Sequence, residues 1–92
     1  MKLFVAICDD EQEMRETLKG YVKRLAEELC IDVEIRTFSG GEEFLKENTE
    51  DYHIVFLDIE MQGMSGFDTA EKMRETNQKT EIVFATVLAQ YC

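Results

Sequence analysis

The chain has 92 residues, of which 20 are acidic and 10 are basic, so its formal net charge is −10 at pH 7. This length allows one small domain with one modest core. A chain this acidic repels phosphate backbones and anionic lipid, so it is not expected to bind nucleic acid or membrane by itself. No apolar run approaches the roughly 20 residues that a membrane helix needs. The start of the chain also lacks the cleavage region of a signal peptide.

The three cysteines, Cys8, Cys30 and Cys92, are an odd number without the spacing of a metal site. This pattern favours reduced thiols in a cytosolic protein over a disulfide or zinc site. We therefore expect a cytoplasmic protein.

Strand and helix patterns alternate from the first residues onward. Residues 2–8 are a near-continuous apolar run, which is typical of a strand buried on both faces. Apolar residues then recur at steps of three and four, which predicts a long amphipathic helix. Residues 31–38 alternate between apolar and polar, which predicts a half-buried strand at the edge of a sheet. The helix pattern comprises Met14, Leu18, Tyr21, Val22, Leu25 and Leu29.

The second half of the chain continues this alternation. We predict a short helix over 40–48, a strand over 53–57, a helix over 66–76 and a strand over 81–86. The order β-α-β-α-β-α-β predicts parallel strands, right-handed crossovers and helices on both faces of one sheet.

Each predicted helix begins near a residue that could cap it. An acidic residue follows each of these residues at the third position, which is the capping-box spacing. The three pairs are Asp10 with Glu13, Ser39 with Glu42, and Ser65 with Asp68. The last pair is a weaker variant because aspartate replaces glutamate or glutamine.

Acidic residues follow two of the predicted strands. Asp9 and Asp10 come directly after the first strand, Asp58 follows the third, and Thr86 ends the fourth. Parallel strands place their carboxyl ends at one edge, and ligands bind there at the point where the strand order reverses. If the first strand lies between the second and the third, the three carboxylates converge. Two carboxylates ~5 Å apart repel by about 3 kcal/mol at an effective dielectric constant of about 20.

Such a cluster either takes up protons or holds a cation. Oxygen ligands with open positions suit a hard ion such as Mg²⁺. A divalent ion would attract a phosphoryl group, and the Asp58 carboxylate could attack phosphorus to form an acyl phosphate. Each residue alone also has a structural explanation: Asp10 as a helix cap, Asp9 as a solvated neighbour, Asp58 as an acceptor for loop amides, and Thr86 as an ordinary strand residue.

Three segments carry a family resemblance: ICDDE at 7–11, IVFLDIEMQGMSGFD at 54–68 and IVFAT at 82–86. They resemble the receiver domain of two-component response regulators, in particular regulators with a LytTR-type DNA-binding output domain. The resemblance covers residues 1–92 as one receiver domain that is incomplete at its C-terminus. It implies a flavodoxin-like (CheY-like) doubly wound parallel sheet with strand order 2-1-3-4, lacking the fifth strand and the last helix.

The resemblance also implies a role for each matching residue. Asp58 corresponds to the phosphoacceptor, Asp10 to a direct Mg²⁺ ligand, and Asp9 to a residue acting on the ion mainly through water. The Glu60 backbone carbonyl corresponds to a further Mg²⁺ ligand, and Thr86 to the switch hydroxyl that bonds the phosphoryl group. The implied phosphodonor is a sensor histidine kinase or a small acyl phosphate, and the implied module is a switch rather than a turnover enzyme.

Two departures from the family pattern change these expectations. Gln62 stands where the family usually has proline, which should loosen the loop. The chain also ends before the fifth strand and the lysine that the family carries on it. We therefore expect weak phosphotransfer, self-association through an exposed fourth-strand edge, and contact with DNA only through an output domain outside this sequence.

Two other functions remain open from the sequence. One is an interaction fragment that keeps the fold but cannot be phosphorylated. The other is a haloacid-dehalogenase-like phosphohydrolase, which also uses an aspartate nucleophile with Mg²⁺. That class has a second aspartate two residues after the nucleophile, where this chain has Glu60, and it gives Asp9 and Asp10 no role.

Overall fold

The computed structural model describes residues 1–85, which form one parallel sheet with helices on both faces. The strands are β1 (Lys2–Cys8), β2 (Asp32–Phe38), β3 (Ile54–Asp58) and β4 (Glu81–Ala85). The helices are α1 (Gln12–Glu28), α2 (Gly41–Leu45) and α3 (Gly66–Arg74), and a 3₁₀ turn covers Thr49–Asp51. The strand order is β2-β1-β3-β4, with every neighbouring pair parallel.

The predicted flavodoxin-like fold and its strand order are therefore confirmed. The predicted edge position of the second strand is also correct, because β2 pairs with β1 alone among the described strands. The second helix is shorter than predicted, since it ends at Leu45 and the chain then enters the 3₁₀ turn.

The main core lies between the sheet and the helices α2 and α3. Phe44 of α2 is fully buried there, and Phe38, Tyr52 and Phe44 pack as three mutually contacting aromatic rings. Met73 of α3 closes the same core. Because side chains alternate along a strand, Val5 and Ile7 of β1 are buried on the opposite face of the sheet.

The apolar stripe of α1 is only partly covered in residues 1–85. Ala26 is buried and Val22 is half-buried, whereas Tyr21, Leu25 and Leu29 are more than half exposed. The periodicity thus predicted the helix correctly, but it did not predict how much of the apolar face is buried against the sheet. None of the helices in this part of the chain is long and apolar enough to cross a membrane.

Only one of the three predicted helix caps is present. The Ser65 hydroxyl accepts the Asp68 N–H at 3.1 Å and caps α3. At α1 the prediction is wrong: Glu11 occupies the cap position, and its N–H donates to Asp9 Oδ1 at 2.9 Å. At α2 it is also wrong, because Gly40 occupies the cap position and Ser39 bonds to the Glu43 carboxylate.

Candidate metal and phosphoacceptor site

The parallel register brings two aspartates together at the carboxyl edge of the sheet. Cys8 of β1 is paired with Leu57 of β3, so the next residues, Asp9 and Asp58, lie side by side. Asp10 follows Asp9 directly. Carboxylate oxygens of Asp9, Asp10 and Asp58 all lie within 4.8 Å of one another. The expected convergence of these three side chains is therefore present.

The three carboxylates differ in exposure. Asp9 and Asp58 are buried, with 2% and 7% of their surface accessible, while Asp10 is exposed. Asp9 is fixed by hydrogen bonds on both sides: its N–H donates to Phe38 O, and its Oδ1 accepts the Glu11 N–H. Asp9 is thus held by its neighbours, and the Asp10 carboxylate reaches the buried pair from the solvent side.

Burial and mutual repulsion make the site a poor place for three negative charges. Burial, followed by the charges of Asp9 and Asp10, raises the pKa of Asp58 to about 6. Burial also raises the pKa of Asp9, against the lowering effect of the Glu11 N–H and the Arg15 guanidinium. A divalent cation at this point would relieve the repulsion that raises both values.

The geometry fits a small oxygen-liganded ion. Octahedral Mg²⁺ binds oxygen at about 2.0–2.1 Å, so its ligand oxygens lie about 3–4 Å apart. The spread of the three carboxylates is close to this range, and Asp10 is on the exposed side, where the ion can keep water ligands. The donor set is entirely carboxylate, which suits Mg²⁺ better than a softer metal.

Glycines allow the loop after β3 to lie against this site. A Cβ on Gly66 would stand 2.2 Å from the Asp58 carbonyl oxygen, so another residue here would push α3 away from β3. The Gly66 N–H donates to Ile59 O at 2.8 Å and fixes this close approach. Gly63 has φ +80°, a left-handed conformation that glycine adopts without strain.

Two contacts near the site were not predicted from the sequence. The Arg15 guanidinium donates to the Asp9 carbonyl oxygen at 2.7 Å, and its charge offsets part of the rise that burial causes in the pKa of Asp9. The Gln62 N–H donates to Asp10 Oδ2 at 3.0 Å. Arg15 is one turn into α1, so a helical projection would have placed it near Asp9. The Gln62 contact joins residues 52 positions apart and has no local signal.

The structure does not test the roles predicted for the other two site residues, Glu60 and Thr86. Glu60 lies two residues after Asp58, with its side chain exposed, and its backbone N–H partly offsets the rise in the pKa of Asp58. Its backbone carbonyl as a metal ligand remains a prediction. Thr86 lies outside the described residues.

Comparison with known proteins identifies the family to which this chain belongs. Residues 5–91 match the response regulator receiver domain family, so the chain belongs to that family. It is a phosphoacceptor module of two-component signalling rather than a conventional enzyme, and this membership leaves the phosphohydrolase alternative without support.

Particular relatives can then be named. The chain is 32% identical to the sensory transduction protein LytT of Bacillus subtilis over 97% of this chain and 36% of that protein. It is 36% identical to LytT of Bacillus anthracis, again over 97% of this chain and 35% of that protein. The chain thus spans about a third of the length of these curated relatives.

A solved structure gives the same comparison in three dimensions. The response regulator TrrA of Thermotoga maritima superposes with a TM-score of 0.80 at 33% identity, covering 97% of this chain and 73% of that one. That protein was crystallised in complex with Mg²⁺-BeF.

Proposed function

We propose that residues 1–92 form a single receiver domain in which Asp58 accepts a phosphoryl group with the help of Mg²⁺. The observation that supports this most directly is the approach of the Asp9, Asp10 and Asp58 carboxylates to within 4.8 Å. Repulsion among three carboxylates this close makes the arrangement unfavourable unless a cation or a proton offsets it.

The proposed reaction is transfer from a kinase phosphohistidine. One oxygen of the Asp58 carboxylate attacks phosphorus, an O–P bond forms, and the N–P bond to the histidine breaks with its electron pair remaining on the imidazole. The product is an acyl phosphate on Asp58. When bound, Mg²⁺ supplies positive charge beside the phosphoryl oxygens.

The remaining residues have proposed supporting roles. Asp10 and the Glu60 backbone carbonyl hold the ion together with Asp58, and Asp9 acts on it mainly through water. Thr86 is the switch hydroxyl that bonds the phosphoryl group. Asp58 must be deprotonated to attack, and with a pKa of about 6 it is ionised at neutral pH.

The proposed partners follow from the family and from the relatives. A sensor histidine kinase supplies the phosphoryl group in the cytoplasm. LytT-like relatives suggest an output domain that regulates transcription, and contact with DNA would run through that domain. We also propose self-association through β4, which pairs only with β3 in residues 1–85 and exposes Val83 and Phe84.

The test is labelling by acetyl phosphate, followed by intact mass spectrometry. We expect slow addition of one phosphoryl group that requires Mg²⁺ and is absent in Asp58→Asn. Asp51→Asn, which changes an exposed carboxylate in the 3₁₀ turn, should label like the original protein. Labelling that survives Asp58→Asn would refute the assignment. A chain that binds Mg²⁺ but is never labelled would instead be an interaction module.

A further inference from the structure

The loop between β3 and α3 is held by two carboxylates from other parts of the chain. The Gln62 N–H donates to Asp10 Oδ2 at 3.0 Å, and the Met64 N–H donates to Glu42 Oε1 at 3.3 Å. Gly63 lies between them with φ +80°, which lets successive amides point in different directions. The loop thus connects the start of α2 with the exposed carboxylate of the acidic site.

We propose that Gln62 is a positioning residue for Mg²⁺ binding: its N–H holds one Asp10 oxygen and directs the other toward the ion. The inference rests on the proposed function of the acidic site. It concerns a position where the family usually has proline, a residue that has no N–H to donate. The contact is therefore one that the usual family residue could not make.

Asp10 needs such a contact more than its two neighbours do. Asp9 and Asp58 are buried, whereas Asp10 is exposed and its carboxylate lies within 4.8 Å of both of theirs. Without a partner, like-charge repulsion favours rotation of the Asp10 side chain into solvent. A hydrogen bond from an N–H to a carboxylate is among the stronger kinds and opposes this rotation.

The same hydrogen bond is compatible with metal binding. A carboxylate has two oxygens, so one can accept an N–H while the other binds the ion. Hydrogen bonds of this kind commonly orient the ligands of metal sites. The Glu42 contact to Met64 and the left-handed Gly63 fix the direction of the loop, so the Gln62 N–H meets Asp10 without rearrangement.

Two substitutions distinguish the contribution of the Gln62 N–H to Mg²⁺ binding from that of the Gln62 side chain. Gln62→Pro removes the N–H, and Gln62→Ala keeps it while removing the glutamine side chain. Isothermal titration with Mg²⁺ should give binding about 5- to 10-fold weaker in Gln62→Pro, and within about twofold of the original in Gln62→Ala, given the usual net strength of a protein hydrogen bond. Equal or tighter binding by Gln62→Pro would overturn the inference.

A second measurement does not depend on the folding of the proline variant. Amide hydrogen exchange at Gln62 in the original protein should be slow without Mg²⁺ and stay slow when Mg²⁺ is saturating, because the hydrogen bond is kept. Faster exchange on saturation would mean that the N–H competes with the ion, which contradicts the inference. Failure of the original protein to bind Mg²⁺ would refute the proposed function instead.

Discussion

Removing the charge of Asp58 should stabilise the metal-free protein at neutral pH. The pKa of Asp58 is raised from 3.8 to about 6, first by burial and then by Asp9 and Asp10. Since a tenfold change in proton affinity corresponds to about 1.4 kcal/mol, this shift corresponds to about 3 kcal/mol at most. Solvent screening reduces the figure, so we expect Asp58→Asn to raise the free energy of unfolding by about 1–2 kcal/mol at pH 7.5.

The pH dependence follows from the direction of this shift. The folded protein binds a proton at Asp58 more tightly than the unfolded chain does, so the penalty is absent below about pH 3.8. It grows as the pH rises toward 6 and is complete above that value. The advantage of Asp58→Asn should therefore be largest at pH 7.5 and much smaller at pH 4.5.

Urea unfolding followed by circular dichroism, with EDTA present, measures this difference. Glu71→Gln is the matched control because it removes an exposed carboxylate on α3. Adding Mg²⁺ should reverse the order, since the ion stabilises the folded form of the protein that keeps Asp58. If Asp58→Asn is less stable than the original protein at pH 7.5 in EDTA, the carboxylates are not in conflict and the reasoning fails.

Three further predictions concern other parts of the fold. Asn77 is fully buried, and its side chain bonds to Thr49 and to Thr80, the residue before β4. Asn77→Ala should therefore lower the free energy of unfolding measured in urea by about 2–4 kcal/mol, whereas Thr76→Ala, at an exposed position, should change it little. Cys30 has φ 56° after α1, so Cys30→Gly should raise the thermal midpoint through a gain of about 1 kcal/mol while Cys30→Ala gives none. Val83→Lys, at the exposed β4 edge, should reduce the self-association seen by light scattering at high concentration; a protein that is monomeric at every concentration would contradict the proposed edge pairing.

The sequence was sufficient for the strands and for the acids at their carboxyl ends because both follow from short-range patterns, whereas the strand order that brings the acids together was implied by the family resemblance. An apolar strand followed at once by Asp9, and another ending in Asp58, places both acids at one edge as soon as the strands are parallel. The register then sets the two residues side by side. Nothing beyond strand order and strand ends was needed.

The helix caps were harder to predict because several local hydrogen bonds compete for the same amides. Asp10 had the capping-box spacing, but the Asp9 carboxylate accepts the Glu11 N–H, while Asp10 turns toward Gln62. Ser39 similarly bonds to Glu43 rather than capping α2. Two of the three residues predicted as caps, Asp10 and Ser39, therefore make other hydrogen bonds.

Contacts between distant segments could not be predicted from the sequence. The Gln62 amide meets Asp10, and the Met64 amide meets Glu42, only because β1, α2 and β3 are already assembled. Gly66 is an exception, because its position in the sequence does indicate a contact with another segment. Glycine is a poor helix former, so its presence in the first turn of a helix indicates a close approach by another backbone, here that of Asp58.

The most direct test of the acidic site is a Mg²⁺ titration followed by calorimetry or by NMR amide shifts. We expect one ion per chain, with the largest shift changes at the ends of β1 and β3. Asp10→Asn should weaken binding at least about tenfold, the loss of one charged ligand being worth more than about 1.4 kcal/mol, while Asp68→Asn on α3 should leave it unchanged. Equal Mg²⁺ affinity in the original protein and in Asp10→Asn would contradict the central claim that these three carboxylates bind a single cation.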